Sequence, residues 1–414
     1  MISEAVKTKL INFQQAHVFS FEGELNEVEG KLFEKQLENI DIKTAQKLFE
    51  KKEEEDSEEA VIEPIPCEVE ADLTPEQRDK YILEGLKIMK KGEYAVVTMA
   101  GGQGTRLGHN GPKGTYFVNV PESVSLFEIQ CRRIKKRAEE CNKNIAWYIM
   151  TSEENDSDTK AFFEQNNYFG YPKDDIIFFK QYMLPMLDEE GKLILEEKYK
   201  LKEGADGHGG IFRAMLGRGV IEDMKKRGIK WIFTCGIDNI LVQLADPCFL
   251  GYISSNGYKL GGKSLIKRDP YEKAGVFCKK NGKPFVIEYT EISAELAELK
   301  DENGEFVYGD AHILCNIFNI EVFEKMGDKG LPYHVAHKKA SFINDAGVKI
   351  TPEKPNAYKY EAFIFDAFAY YDDMGIFRIK REHEFAPIKN KIGEDSPESA
   401  EKLYINYTAG SENI

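Results

Sequence analysis

Short apolar runs alternate with longer polar segments along most of this chain, from residue 94 onward. The apolar runs that have the length and composition of buried strands are Tyr94–Met99, Ile145–Thr151, Ile176–Phe179, Trp231–Cys235 and Phe285–Tyr289. Between these runs, the spacing of apolar residues predicts helices at Leu126–Glu140 and Ile211–Arg227. The alternation predicts an α/β fold with a mostly parallel sheet, in which ligands bind at the carboxyl ends of the strands.

The first part of the chain, to about residue 90, has a different pattern and is rich in lysine and glutamate. Its apolar side chains recur at helical spacing, as in the set Leu32, Phe33, Leu37 and Ile40. Residues 51–59, KKEEEDSEE, predict a solvated break, and Thr74 followed by Pro75 predicts the start of another helix. We therefore divide the chain into a helical N-terminal module at 1–93, an α/β domain at 94–390 and a short C-terminal tail at 391–414.

The composition narrows the classes of partner and the compartment. The formal net charge is −15 over 414 residues, which disfavours nucleic acid and anionic membranes as partners because both repel an acidic surface. The sequence contains neither an apolar run of membrane-spanning length nor an N-terminal signal-peptide core. The seven cysteines form no C-x-x-C pair, which favours reduced thiols over disulfides or a zinc site. We expect a soluble, cytoplasmic protein.

The stretch 96–116, VVTMAGGQGTRLGHNGPKGTY, is the most informative one, because the first predicted strand runs there into a glycine-rich loop. The glycines within Gly101–Gly104 allow backbone N–H groups to approach a ligand closely. Arg106 and Lys113 then add positive charge. A strand, a loop of bare backbone and two cations together predict a binding site for a polyphosphate.

Two more common phosphate-binding motifs do not match this loop. A dinucleotide fingerprint requires a third glycine where the chain has Leu107. A P-loop requires a serine or threonine directly after its lysine, and Gly114 follows Lys113. A glycine-rich turn without a ligand remains the alternative interpretation.

Two further stretches carry candidate chemistry. In Ala205–Phe212, glycines surround His208 at a predicted helix start, where backbone donors suit a phosphate or a sugar hydroxyl. The predicted strand Trp231–Cys235 leads to Asp238, whose carboxylate suits Mg²⁺. Each pattern also has a purely structural interpretation, as a helix entry and as the start of a turn. His334 and His337, next to two lysines, are interpreted as part of a basic surface helix and not as a metal site.

The stretch GGQGTRLGHNGPKG resembles the signature of nucleotide-sugar pyrophosphorylases, in the form found in the UDP-sugar pyrophosphorylase family. Within that family the chain is most similar to the eukaryotic-type UDP-N-acetylglucosamine pyrophosphorylases. The similarity runs from about Leu73 to Asn390 and includes the segments FFKQYMLP, DGHGG, DNILV and KPNAYKYEAFIFD. The resemblance implies a Rossmann-like nucleotide-diphospho-sugar transferase fold (GT-A type), with a mixed sheet flanked by helices and a helical N-terminal module.

The resemblance also implies roles for individual residues. Catalytic roles fall to Arg106, Lys113 and Lys389. Nucleotide binding falls to Ala100, Gly101, Gly102, Gly104, Thr105, Gln181, Gly207 and Lys359. Sugar binding falls to His208, Glu288 and His312, and Asp238 is the expected ligand of a Mg²⁺ cofactor. Gln181, Glu288, Lys359 and Lys389 would not be singled out by their spacing alone.

The implied activity is uridylyl transfer from UTP to N-acetylglucosamine 1-phosphate, which forms UDP-N-acetylglucosamine and pyrophosphate. A glucose 1-phosphate or broad UDP-sugar enzyme is the nearest alternative. His208 and His312 stand where the N-acetylglucosamine enzymes usually carry asparagine, and both positions are on the sugar side. A non-catalytic nucleotide-sugar sensor is the alternative from a different class, and a dehydrogenase is disfavoured by the missing glycine.

The C-terminal end bears on self-association. The chain continues for about 25 residues after Lys389, so the small β domain that eukaryotic members carry there is expected to be absent or reduced. The sequence therefore predicts a monomer or a dimer without distinguishing them.

Overall fold

The computed structural model describes residues 2–51 and 60–411. The chain forms two compact units. Unit 1 comprises Met1–Glu59, Tyr182–Gly210 and Leu331–Ile364, and unit 2 comprises Ala60–Gln181, Ile211–Gly330 and Phe365–Ile414. The break predicted at 51–59 lies outside the described residues from residue 52 onward. No helix in the described ranges is long and apolar enough to cross a membrane.

Unit 2 is built on one large sheet. In chain order its main strands are β1 (Glu68–Val69), β2 (Tyr94–Met99), β3 (Ala146–Thr151), β4 (Ile176–Lys180), β5 (Trp231–Gly236), β6 (Leu260–Ile266), β7 (Asp310–Asn319) and β8 (Gly375–Arg378). Their spatial order is β1-β8-β6-β7-β5-β2-β3-β4. All neighbouring pairs are parallel except those of β7, which runs antiparallel to both β5 and β6. The sheet is therefore mixed, as the resemblance implies, and the predicted α/β class is confirmed.

Smaller strands and the helices complete unit 2. The strands are Ile62–Glu63, Val276–Lys280 and Lys283–Ile287 at the sheet and the hairpin Phe117–Asn119 with Ser123–Ser125. The helices are Pro75–Lys90, Leu126–Cys141, Asp156–Gln165, Ile211–Gly217, Val220–Arg227, Pro247–Ser255, Ala294–Glu298, Ile320–Lys329, Arg381–Glu384 and Pro397–Ser411. The last of these helices occupies most of the predicted C-terminal tail.

Local sequence explains several of these elements directly. All six residues of β2 are buried, which is why the strand appears in the sequence as a continuous apolar run with the predicted bounds. Thr74 caps the helix Pro75–Lys90 by accepting a hydrogen bond from Gln77 N, as predicted. The single helix predicted at Ile211–Arg227 is wrong, because the chain breaks at Gly219, whose φ of +74° is incompatible with an α-helix.

Unit 1 combines three N-terminal helices with short strands. The helices are Glu4–Asn12, Glu27–Asn39 and Ile42–Glu50. The strands are Met183–Pro185, Leu187–Asp188, Leu195–Glu197, Lys200–Leu201, Glu203–Ala205, His334–Lys338, Phe342–Ile343, Lys349–Ile350 and Ala357–Glu361. Apolar side chains of the helices, such as Phe33 and Leu37, form one buried cluster with Leu187 and Leu201. The predicted domain boundaries at residues 93 and 390 remain predictions.

The prediction of a basic surface helix around His334 and His337 is wrong. These residues belong to the strand His334–Lys338, which pairs antiparallel with Ala357–Glu361. The ring of His337 stacks on Tyr358, its partner across the two strands, with ring centroids 4.8 Å apart. Cross-strand pairing, which depends on residues about 20 positions away, overrides the local polar pattern.

Two helices of unit 2 pack backbone against backbone. A Cβ atom on Gly85, in the helix Pro75–Lys90, would lie 2.0 Å from the carbonyl oxygen of Pro247. A Cβ atom on Gly251, in the helix Pro247–Ser255, would lie 1.8 Å from the carbonyl oxygen of Tyr81. Both contacts are with main-chain atoms that cannot swing aside, so each position requires glycine.

We expect Gly251→Ala to lower the free energy of unfolding by about 1–3 kcal/mol or more, because the added methyl forces the helices apart. Gly30→Ala is the control, since no atom lies within 4 Å of the added methyl and the helix Glu27–Asn39 gains a better helix former. The control should leave the melting temperature unchanged or raise it. Equal melting temperatures for the two variants would contradict the close packing.

Candidate active site

The glycine-rich loop presents bare N–H groups after strand β2. The loop closes on itself through hydrogen bonds from Gly104 N to Gly111 O at 2.9 Å and from Lys113 N to Gly102 O at 3.0 Å. Within the ranges 2–51 and 60–411, the N–H groups of Gly101, Gly102 and Gln103 donate no hydrogen bond. Three neighbouring donors without acceptors suit an anionic ligand such as a phosphate chain.

Gln181, which the resemblance assigns to nucleotide binding, lies directly on this loop. A Cβ atom on Gly101 would come within 2.6 Å of Gln181 Nε2, so a larger residue there would displace the carboxamide. Gln181 is buried, and its backbone N–H donates to Thr151 O at 2.9 Å. The carboxamide is therefore held beside the bare N–H groups, with both a donor and an acceptor to offer a base.

A polar contact within the loop was not predicted from the sequence. His109 Nε2 lies 2.7 Å from Thr115 Oγ1, and Thr115 Oγ1 donates to Pro112 O at 2.8 Å. Because the hydroxyl hydrogen is used on Pro112, His109 must donate from Nε2. This contact links positions 109 and 115 of the loop. The sequence gives one indication of it, which is that flexible residues flank the histidine.

Lys113 and Asp238 come together although 125 residues separate them in the sequence. Lys113 Nζ lies 3.8 Å from Asp238 Oδ2, and both side chains are partly buried. Burial lowers the pKa of Lys113; Asp238 opposes this effect, and the positive charges of Lys389 and Arg106 add to it. The three cations predicted to be catalytic are thus close enough to interact electrostatically.

Lys389 is placed by a strand-like contact with the turn after β5. Ile388 N donates to Asp238 O at 2.9 Å, and Asn239 forms an isolated bridge with Pro387. Asn239 Oδ1 also accepts from Ala386 N at 2.9 Å. The three residues before Lys389 are therefore tied to the segment that carries Asp238.

A buried ion cluster anchors the same segment. Lys263, with a side chain that is 0% exposed, donates from Nζ to Glu384 at 2.6 Å and lies 2.7 Å from Asp246 Oδ2. Burial raises the pKa of Glu384 to about 7, opposed by Lys263 and assisted by the second carboxylate. Asn239 Nδ2 donates to Glu384 O at 2.7 Å, which links the cluster to the turn that holds Asp238.

The residues around Asp238 fit a Mg²⁺ ion whose ligands come mainly from the substrate. Among the described residues there is no group of three or more His, Cys, Asp or Glu side chains that could enclose a metal. Mg²⁺ commonly uses one or two carboxylates and completes its shell with water and substrate phosphates. A single carboxylate 3.8 Å from Lys113 Nζ and carried by the turn after β5 matches that pattern.

Glu288 and His312, the predicted sugar-side residues of unit 2, meet at Gly275. A Cβ atom on Gly275 would lie 3.1 Å from Glu288 Oε1, and His312 N donates to Gly275 O at 2.9 Å. His312 Nε2 lies 3.0 Å from Asn316 Oδ1. Three phenylalanines contact the His312 ring edge-on: Phe277, Phe365 and Phe368. Burial lowers the pKa of His312 to about 4, so the ring is neutral at physiological pH.

The other three predicted residues lie in unit 1. Gly207 has a φ of +84°, and a Cβ atom there would lie 2.3 Å from Ala362 O. His208 Nδ1 accepts a hydrogen bond from Ile364 N at 2.9 Å, so this nitrogen carries no proton. Lys359 Nζ lies 2.7 Å from Glu361 Oε1. Residues 362–364 thus hold both the positive-φ turn at Gly207 and the ring of His208 within unit 1.

Comparisons with known proteins place the chain in a family. The family model described as UTP–glucose-1-phosphate uridylyltransferase matches residues 40–393. The chain belongs to this family of UDP-sugar pyrophosphorylases. It is 39% identical to a UDP-N-acetylglucosamine pyrophosphorylase of Saccharomyces cerevisiae, over 80% of this chain and 72% of that protein. It is 35% identical to UDP-N-acetylglucosamine diphosphorylase 2 of Arabidopsis thaliana, over 97% of this chain and 83% of that protein.

A solved structure extends the family likeness to the fold. The UDP-N-acetylglucosamine pyrophosphorylase of Trypanosoma brucei, crystallised with an inhibitor, superimposes with a TM-score of 0.84 at 27% sequence identity. The match covers 97% of this chain and 84% of that chain. The resemblance and the fold class predicted from the sequence are both confirmed.

We expect the His312 ring to stay neutral in the folded protein down to about pH 5, whereas in the unfolded chain it takes up a proton near pH 6.5. Its contribution to stability is therefore full above about pH 6.5 and is lost as the pH falls towards 4. NMR titration of the ring checks the pKa, and melting temperatures at pH 7.5 and 5 check the linkage. His312→Phe should reduce the pH dependence; a ring that titrates near pH 6.5 in the folded protein would contradict its burial.

Proposed function

We propose that this protein is a uridylyltransferase that converts UTP and N-acetylglucosamine 1-phosphate into UDP-N-acetylglucosamine and pyrophosphate. Family membership and the names of the relatives support this activity. One structural observation carries the proposal: the bare N–H groups of Gly101–Gln103 lie in the loop whose Lys113 meets Asp238. Backbone donors, cations and one carboxylate are what a nucleoside triphosphate and Mg²⁺ require together.

In the proposed reaction, a phosphate oxygen of the sugar 1-phosphate attacks the α-phosphorus of UTP in line. A new P–O bond forms as the bond to the β-phosphate breaks, and pyrophosphate leaves. The N–H groups of Gly101 and Gly102, with Ala100, Gly104 and Thr105 around them, bind the triphosphate. Lys113, Arg106 and Lys389 offset the charge of the five-coordinate transition state, so that catalysis consists of positioning and electrostatic stabilisation.

Mg²⁺ is the cofactor we propose, held by Asp238 and by phosphate oxygens of the substrate. When bound, the ion supplies further charge neutralisation on the phosphates. Asp238 Oδ2 also lies 3.8 Å from Lys113 Nζ, so the same carboxylate can orient the lysine. This double role explains why an acidic side chain belongs in a site for polyanions.

Gln181 is our candidate for the uracil, because its carboxamide can donate to one base oxygen and accept from the ring N–H. Gly207 and Lys359, which lie in unit 1, are proposed as nucleotide-binding residues because the family resemblance implies that role, with a phosphate as the partner of the lysine. Lys359 pairs with Glu361 in the structure, so a phosphate would compete with that carboxylate.

Glu288, His312 and His208 are proposed for the sugar. The Glu288 carboxylate can accept hydrogen bonds from two sugar hydroxyls. The neutral His312 ring can form one hydrogen bond with the N-acetyl group or with a hydroxyl. Use of glucose 1-phosphate is the alternative, supported by the two histidines at positions where the N-acetylglucosamine enzymes usually carry asparagine. The choice rests on the sugar pocket and leaves the nucleotide chemistry unchanged.

The compartment and partners are also proposed. All seven cysteines lie in described residues and are free thiols, which suits a reducing compartment such as the cytoplasm. The acidic net charge of −15 disfavours nucleic acid as a partner.

Pyrophosphate release from UTP and Mg²⁺ should be at least about 100-fold faster, in kcat/KM, with N-acetylglucosamine 1-phosphate than with glucose 1-phosphate, a difference of about 2.7 kcal/mol in the transition state. A coupled phosphate assay at equal sugar concentrations measures the ratio. The reverse preference would establish the glucose alternative. Release with neither sugar would favour a nucleotide-sugar sensor.

Lys113→Ala should reduce kcat/KM by about 100-fold to 1,000-fold, the range for loss of one preorganised electrostatic contact in a transition state. The fold should survive, because the side chain is partly exposed and anchors no core packing. Lys136→Ala, an exposed lysine on the helix Leu126–Cys141, is the matched control and should keep full activity. Near-normal kcat/KM in Lys113→Ala would remove this lysine from the mechanism.

A further inference from the structure

Asn155 reaches the glycine-rich loop from the connection between β3 and the helix Asp156–Gln165. Its side chain is 0% exposed. Asn155 Nδ2 donates to Ala100 O at 2.9 Å and to Gly102 O at 3.3 Å. Asn155 Oδ1 accepts from Ser152 N at 2.8 Å, which fixes the amide plane and assigns its nitrogen to the loop.

These two hydrogen bonds determine which way the bare N–H groups point. In a trans peptide unit, the C=O and the following N–H lie in one plane and point in opposite directions. When Ala100 O points to Asn155, the N–H of Gly101 must point away from it. The same holds for Gly102 O and the N–H of Gln103, and both N–H groups belong to the set that donates no hydrogen bond within the described residues.

A loop of this composition needs such an external tie. Glycine has the largest backbone freedom, so a glycine-rich loop loses more entropy than other loops when it orders around a ligand. A rigid side chain that orders the loop in advance removes this cost from binding. Gly102 O additionally accepts from Lys113 N, so the same peptide unit connects Asn155 to the lysine proposed for catalysis.

We propose that Asn155 is a positioning residue that holds the N–H groups of Gly101 and Gln103 towards the phosphates of the nucleotide. The identity of that ligand rests on the proposed function. Within the described residues, the side-chain hydrogen bonds of Asn155 go to Ala100 O, Gly102 O and Ser152 N, so it acts through the orientation of two peptide units. Its effect should therefore fall on the nucleotide and not on the sugar, whose proposed ligands Glu288 and His312 lie around Gly275.

The test compares Asn155→Ala and Asn155→Ser with Asn256→Ala. Serine keeps one donor and one acceptor, whereas alanine keeps neither. Asn256 is the matched control, because its Nδ2 also donates to a backbone carbonyl, Tyr252 O at 2.8 Å, at the end of another helix. Each protein is examined without ligand by amide hydrogen exchange within residues 100–104, read at Ala100 and Gly104, whose N–H groups donate to Met150 O and Gly111 O. The KM values for UTP and for the sugar 1-phosphate are also measured.

We expect Asn155→Ala to speed exchange at 100–104 and to raise the KM for UTP by about tenfold to 100-fold, as expected for loss of one or two buried hydrogen bonds. The KM for the sugar 1-phosphate should stay within about twofold. Asn155→Ser should fall between alanine and wild type, and Asn256→Ala should match wild type. If alanine prevents folding, the serine variant alone decides.

An unchanged KM for UTP, or equal increases for both substrates, would overturn the positioning role. Failure of the proposed function is distinguishable, since it would appear as no pyrophosphate release by the wild-type protein. In that case calorimetric binding of UTP to wild type and Asn155→Ala replaces KM as the readout. Equal UTP affinities, or no faster exchange at 100–104, would then refute the proposal.

Discussion

Four parallel strands of unit 2 end at one edge of the sheet, and the site residues of that unit depend on this constraint. Parallel neighbours in register carry their following turns to the same edge. Strand β2 leads to the glycine-rich loop, β3 leads to Asn155, β4 leads to Gln181 and β5 leads to Asp238. Gly101 and Asn239 are 138 positions apart in the sequence, but they follow the adjacent parallel strands β2 and β5. The sheet therefore brings their two segments close together.

Buried polar groups hold this edge in shape. Thr98 donates to Gln130 at 2.7 Å, and Gln130 donates to Gly236 O at 3.0 Å, which connects the ends of β2 and β5. The Lys263 cluster holds the segment of Lys389 against the turn of Asp238 through Asn239. Such groups are costly to bury unless every partner is present, so they specify one arrangement of the edge.

Charge is distributed unevenly in this protein. The chain has a net charge of −15, yet Lys113, Arg106 and Lys389 interact at one place, where burial lowers the pKa of Lys113. Their mutual repulsion destabilises this part of the folded protein and is offset in part by Asp238. The proposed polyanionic substrate would remove that repulsion, which would favour its binding at this edge over the acidic remainder of the surface.

The sequence by itself determined the elements whose causes are local. Strand β2 is recognisable because all its residues are buried, and the helix at Pro75 because Thr74 caps it. The glycine-rich loop, its cations and Asp238 were likewise recognised from the sequence pattern, and the resemblance supplied Gln181. Local elements and motifs can both be recognised from residues that are close together in the sequence.

Tertiary structure alone decided the rest. Asn155 is 53 residues from Gly102 and 55 residues from Ala100 in the sequence. Nothing in the local sequence around Asn155 indicates its contacts with them. The strand at His334–Lys338 depends on pairing with a distant segment, and the pKa of His312 depends on rings from other elements. Sequence patterns report what a residue's neighbours along the chain require, whereas orientation, burial and electrostatic environment arise only from neighbours in space.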